Sequence, residues 1–143
     1  MADTTPAEVA ELATQLRLAC MRVSRRVRFE SVDAVAPHQF SVLVRLAEAP
    51  RNPRELADIE KVSPPSMTRT VNGLAEQGLV TRAPDPDDGR CVIVSLTPDG
   101  REALDETRAA RDAWMTSRVA ELTPAEQDLL RQATLLLHRV ADR

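Results

Sequence analysis

The feature that most narrows what this chain can fold into is a recurring punctuation mark, a capping side chain followed at once by proline. Thr5-Pro6-Ala7-Glu8 and Thr123-Pro124-Ala125-Glu126 are the same four-residue string, and Asn52-Pro53-Arg54-Glu55 is its asparagine form. Each joins three helix-opening devices: a side-chain oxygen for an unpaired first-turn amide, a proline where no N–H is needed, and a glutamate that reaches back to the cap amide. Ser63-Pro64 and Thr97-Pro98 supply cap and proline without the glutamate. Five helix starts are thereby marked, and a sixth is expected near Pro37 behind a poor cap, Ala36.

Apolar positions at helical spacing follow these starts. Val9, Leu12, Ala13, Leu16, Cys20, Val23 and Val27 form a stripe on a long first helix, and Phe40, Leu43, Leu46 and Ala47 mark a shorter second one. Leu56 and Ile59 anchor a third, and Met67, Val71 and Leu74 a fourth. Leu104, Ala110, Ala113 and Trp114 mark the fifth; Leu129, Leu130, Ala133, Leu136, Leu137 and Val140 mark the sixth. Only Glu60-Lys61-Val62-Ser63 separates the third from the fourth, which makes that pair a helix-turn-helix candidate. Behind it come a short strand, Gly78 to Arg82, an acidic loop, and the alternating run Cys91 to Leu96. The expected fold is therefore mainly α with a small β-hairpin wing, a winged helix-turn-helix lobe flanked by long helices.

Composition removes several function classes. With 43% hydrophobic and 29% charged residues the chain is globular, and 2% aromatic residues leave no stacking platform for single-stranded nucleic acid. Cys20 and Cys91 lie far apart with no apolar leader before them, so a disulfide scaffold is not expected and cytoplasm is the expected compartment. No run approaches the roughly 18 apolar residues a membrane span needs. His38 and His138 are widely separated, and neither a paired-histidine metal spacing nor a phosphate-cradling glycine loop occurs, so no catalytic residue, metal or cofactor is expected. A cysteine nucleophile is the enzymatic alternative, and a winged helix used for protein contacts is another. The net charge of -3 does not advertise nucleic-acid binding, but screening beyond about 8 Å lets a local basic surface act on an acidic protein.

With Met67, Val71 and Leu74 turned inward, helical geometry points Arg69 outward among Pro65, Ser66, Asn72 and Gly73. Ser66 and Thr68 suit phosphates, Arg69 suits phosphate or guanine, and Asn72 suits adenine. The competing reading is a solvated helix face. In the acidic loop, Arg90 at the tip suits a narrow minor groove, with Asp88 accepting from Arg90 or from loop amides to fix the wing. The competing reading there is a surface salt bridge of little energetic weight.

These residues resemble the MarR family of bacterial winged helix-turn-helix regulators. The resemblance is carried by Pro37 to Leu43, Glu55-Leu56-Ala57, Ser66 to Arg69, Leu74 to Arg82, Asp85-Pro86 with Asp88 and Arg90, and Val94 to Gly100, within a match running from about residue 8 to 140. It implies one MarR-like domain over residues 1–143, with dimerisation helices at about 5–30 and 98–143 and a DNA-binding lobe at about 37–97. It also implies a homodimeric repressor of palindromic double-stranded DNA, in a family many of whose members release DNA on binding a small lipophilic or phenolic compound. By the same resemblance Ser66, Thr68 and Arg69 contact DNA, Arg90 enters the minor groove and Asp88 supports the wing. Arg51, Arg54 and Arg82 are additional phosphate-ligand candidates from charge and position. An effector pocket is implied between the two regions, for which Arg17, Cys20, Met21, His38 and Phe40 are lining candidates, each with a core or surface reading beside it. Cys20 lies on the apolar stripe, so an inert core thiol is expected there in preference to a peroxide sensor.

Overall fold

The computed structural model describes residues 4–31 and 33–142. Six helices and a hairpin follow one another as α1 (Pro6–Glu30), α2 (Pro37–Glu48), α3 (Pro53–Glu60), α4 (Pro64–Glu76), β1 (Val80–Pro84), β2 (Val92–Leu96), α5 (Pro98–Ala120) and α6 (Pro124–Ala141). Every helix begins on a proline, as the punctuation requires. At α1 the Glu8 amide donates to Thr5 Oγ1 over 3.3 Å while the Thr5 amide donates to the Glu8 carboxylate over 2.7 Å. The same reciprocal pair closes the starts of α3, between Asn52 and Glu55, and α6, between Thr123 and Glu126. The poor cap at Ala36 is half-remedied: Gln39 Oε1 accepts from its amide over 3.2 Å.

Two left-handed residues shape the helix-turn-helix and its exit. Lys61 ends α3 at φ 53°, with the Val62 amide donating back to Ala57 O over 3.1 Å. Gly78 ends α4 at φ 74°, where the Gly78 amide reaches Ala75 O and the Leu79 amide reaches Leu74 O, a Schellman closure. That closure occupies Gly78 and Leu79, so β1 begins at Val80 and runs to Pro84, two residues later than expected. At its other end the return strand starts at Val92, because the Cys91 amide and carbonyl are bound within the loop, to Asp88 O and the Asp85 amide. The strands pair antiparallel from Val80 opposite Leu96 to Pro84 opposite Val92. Arg51 adds a rung against Val94 through amide bonds of 3.1 and 2.8 Å.

The core gathers Val42, Leu43 and Leu46 of α2, Leu56 and Ala57 of α3, Met67, Val71 and Leu74 of α4, Leu79, Val80 and Val94 of the hairpin region, and Ala103 and Leu104 of α5. Neither α1 nor α6 contributes a buried residue. The stripes expected on those helices exist, but in one chain they face outward: Leu12 is 63% exposed, Leu129 66% and Leu136 56%. The core thiol expected at Cys20 is thus corrected, since Cys20 is exposed in the single chain. Among the described residues no helix is long and apolar enough to cross a membrane.

A contact that no local pattern announces ties the α1–α2 connection to α5. Arg111 donates through Nε and Nη2 to Asp33 Oδ2 over 3.1 and 3.0 Å, and both side chains are largely buried. The guanidinium lies over the Phe40 ring, 3.9 Å from its centroid.

At Gly100, in the first turn of α5, an added Cβ would stand 2.0 Å from Leu79 O and 2.7 Å from Leu96 Cδ1. Backbone must move to admit it, so Gly100→Ala should destabilise the fold by about 1–3 kcal/mol or more. Thermal unfolding would measure this; an unchanged midpoint would contradict the packing described.

Candidate nucleic-acid interface

The N-terminal half of α4 is a small, polar, outward surface on a firmly buried base. Met67, Val71 and Leu74 are at most 2% exposed, which fixes the helix rotation and leaves Thr68 and Arg69 in solvent. Ser63 caps the helix, its Oγ accepting from the Ser66 amide over 3.3 Å. Pro64 and Pro65 remove two amides from the first turn, so the donors this helix end can offer an anion are mostly side chains. Arg69 Nη2 donates to Ser66 Oγ over 3.3 Å, which steadies the guanidinium along the helix. The Thr68 hydroxyl donates to Pro64 O over 3.0 Å, leaving its lone pairs outward.

Asn72, one turn beyond Thr68, is half-buried, and its Oδ1 accepts from Nη1 of Arg82 on β1. The Asn72 carbonyl, which adenine would need as an acceptor, is thus engaged within the fold. Arg54 is exposed in the first turn of α3. Arg51, by contrast, is turned to Glu48 over 3.1 Å and has its Nε buried without a partner, which makes it a poor phosphate ligand.

The hairpin tip is built around Asp88. Its Oδ1 accepts from both the Arg90 amide and Arg90 Nε, each over 3.2 Å, its carbonyl accepts from the Cys91 amide over 2.9 Å, and the Cys91 thiol approaches Oδ2 at 3.7 Å. Asp85 Oδ1 accepts from the Asp87 amide over 2.9 Å, so one more of the loop's carboxylates is spent on shape. Bonding to the Arg90 side chain, then to its amide, holds the Asp88 carboxyl below the usual aspartate range. Arg90 remains 93% exposed at the tip. The negative charge of Asp88 raises the neighbouring Cys91 thiol, with burial adding to the effect.

The effector candidates are not brought together in a single cavity. His38 lines a cleft of about 610 Å³ with Arg28, Ser41, Glu60, Ser66 and Arg69, so one wall of it is α4 itself. Cys20 lines an apolar groove of about 980 Å³ between α1, α5 and α6, with Leu16, Val23, Met115, Leu130 and Leu137. Met21 shares a shallow hollow with Cys20, Arg25 and Phe29, and its sulfur accepts from Arg17 at 3.4 Å. Phe40 packs on the core beneath Arg111 and lines none of these spaces. Sequence reasoning missed Arg28, Glu60 and Thr70 in the cleft and Arg111 in the groove, since residues from several helices meet there without any shared local pattern.

A family model described as MarR family matches residues 35–90. An HTH-type transcriptional regulator of Mycobacterium tuberculosis is 44% identical over 135 residues, spanning 93% of this chain and 94% of that protein. An HTH-type transcriptional repressor of Bacillus subtilis is 26% identical, spanning 86% of this chain and 82% of its own. The fold is shared with a solved MarR family protein of Bacillus stearothermophilus, at a TM-score of 0.73 and 21% identity over 99% of this chain and 100% of that one.

If the Asp88 carboxylate restrains the Cys91 thiol, Asp88→Asn should lower that thiol's pKa and raise its thiolate fraction. In a Cys20→Ser background, where Cys91 is the one thiol left, alkylation at pH 8 should speed up severalfold, on the order of what a modest pKa change gives. An unchanged rate would mean the tip is not organised as described.

Proposed function

The chain belongs to the MarR family of DNA-binding transcriptional regulators, and on that premise we propose that it acts as a homodimeric repressor of palindromic double-stranded DNA. In this reading each α4 enters a major groove, with Ser66 and Thr68 on phosphates and Arg69 on phosphate or guanine. Each wing sets Arg90 into a flanking minor groove, whose narrow, negative channel favours a guanidinium, while Asp88 holds the tip in shape. Arg54 adds a phosphate contact beside them, and Arg82, bonded to Asn72, stands at the root of the wing. Two such units place half-sites about one helical turn apart.

The observation that carries the reading is one lobe presenting two outward arginines: Arg69 on α4 and Arg90 at the hairpin tip, the latter 93% exposed. The dimer is supported by the uncovered apolar faces of α1 and α6. Repression is supported by the repressor among the relatives. Release by a small lipophilic or phenolic effector is supported by the cleft against α4, where a ligand beside His38 and Arg28 would touch Arg69 and Ser66 directly. The apolar groove beside Cys20 is the second candidate space. A winged helix used for protein contacts is the rival reading, which the acidic loop favours.

Binding to a palindromic duplex recovered by selection separates the two. Arg69→Ala should weaken specific binding by about 1–3 kcal/mol, roughly five- to 150-fold. Arg90→Ala and Arg54→Ala should each reduce the slope of log affinity against log salt by about one. Retention of full affinity and slope by the Arg69→Ala, Arg90→Ala double variant would reject the DNA interface in favour of the protein-contact module.

A further inference from the structure

We propose that Arg82 is a positioning residue that makes Asn72 a donor-only reader of the major groove, and so sets the operator base pair opposite Asn72 as G·C. The inference rests on the DNA interface proposed above and adds the identity of one contact within it.

Asn72 follows Arg69 by three residues on α4, which at about 100° per residue places it about 60° round the helix, on the side facing the hairpin. It is half-buried where Arg69 is exposed, consistent with that edge position. Arg82 stands on β1 opposite Val94 and gives Nη1 to Asn72 Oδ1. Chemistry fixes which end of the amide faces it. A guanidinium carries donors and no acceptor, so the carbonyl must turn inward and the amino group outward. Among the described residues Arg82 has no carboxylate partner to draw it elsewhere.

The consequence is a change of what can be read. A free asparagine grips adenine because it offers an acceptor to N6 and a donor to N7 together. With Oδ1 turned inward onto Arg82, the end of Asn72 left toward the groove is its amino group, which offers only N–H groups. Two adjacent acceptors answer that surface. Guanine supplies them as N7 and O6, whereas in an A·T pair the N6 donor interrupts N7 and O4. The bond also spans the two DNA-facing elements, since it joins α4 to the root of the wing.

The test is a selection from randomised duplexes with the full chain, run in parallel for wild type, Asn72→Ala, Arg82→Ala and the double variant. One position per half-site should lose its preference in Asn72→Ala. There the wild type should select G·C by about tenfold or more, and Arg82→Ala should move that preference to A·T or erase it while other positions hold. At that position the double variant should match Asn72→Ala alone, because the arginine acts through the amide. Selection of A·T there by the wild type would overturn the proposal. So would Arg82→Ala keeping every base preference while weakening all duplexes alike and flattening the salt slope, the behaviour of a phosphate ligand. If no position responds to Asn72→Ala, this inference fails and the DNA reading stands. If the wild type selects no sequence at all, both fall.

Discussion

The constraint on which the rest depends is apolar surface that one chain does not cover. Helix α6 runs for 18 residues without burying one of them, and α1 runs for 25 in the same condition. Helices without tertiary packing are marginal in water, since propensity alone barely offsets the cost of nucleation. Val9, Leu12, Leu129, Leu135, Leu136 and Val140 are each more than half exposed, and burial of such side chains contributes about 1.5–3 kcal/mol apiece. A second copy presenting the same surface is the simplest cover, because a self-complementary patch closes on itself and leaves nothing to propagate. The groove beside Cys20, open along α1, α5 and α6, belongs to that same face.

Against this, the lobe formed by α2, α3, α4 and the hairpin buries its own apolar side chains. Its buried leucines and valines fix the rotation of α4, and the Arg51–Val94 rung seats the hairpin against the start of α3. The largely buried Asp33–Arg111 pair, stacked on Phe40, then ties the α1–α2 connection to α5. Removing one partner of such a pair leaves a charge stranded in low dielectric, so the seam resists slippage more than its two hydrogen bonds alone would suggest. A rigid seam of this kind would let a dimer hold two recognition helices at a fixed spacing. The cleft against α4 has Ser66 and Arg69 in its wall.

Much of this fold is legible in the sequence because its instructions are local. A cap, a proline and a glutamate lie within four residues, so the starts of α1, α3 and α6 need no tertiary information. The outward direction of Arg69 follows from the buried spacing of Met67, Val71 and Leu74 alone. The bond between Asp88 and Arg90 is legible for the same reason, two residues of separation. What escapes is whatever depends on partners distant in the chain. Asp33 and Arg111 stand 78 residues apart, and Asn72 meets Arg82 only after the chain has turned through Gly78. Cys20 illustrates a different gap: periodicity says that a helix face is apolar without saying which molecule covers it, so a stripe position that predicts a core thiol is exposed in the single chain.

Sedimentation equilibrium of the full chain at micromolar concentration tests the proposed pairing most directly. A molar mass of roughly twice the 15.8 kDa of one chain is predicted, falling toward a single chain when Leu129 and Leu136 are replaced by glutamate. A mass of one chain, with α1 and α6 still fully helical by circular dichroism, would contradict it.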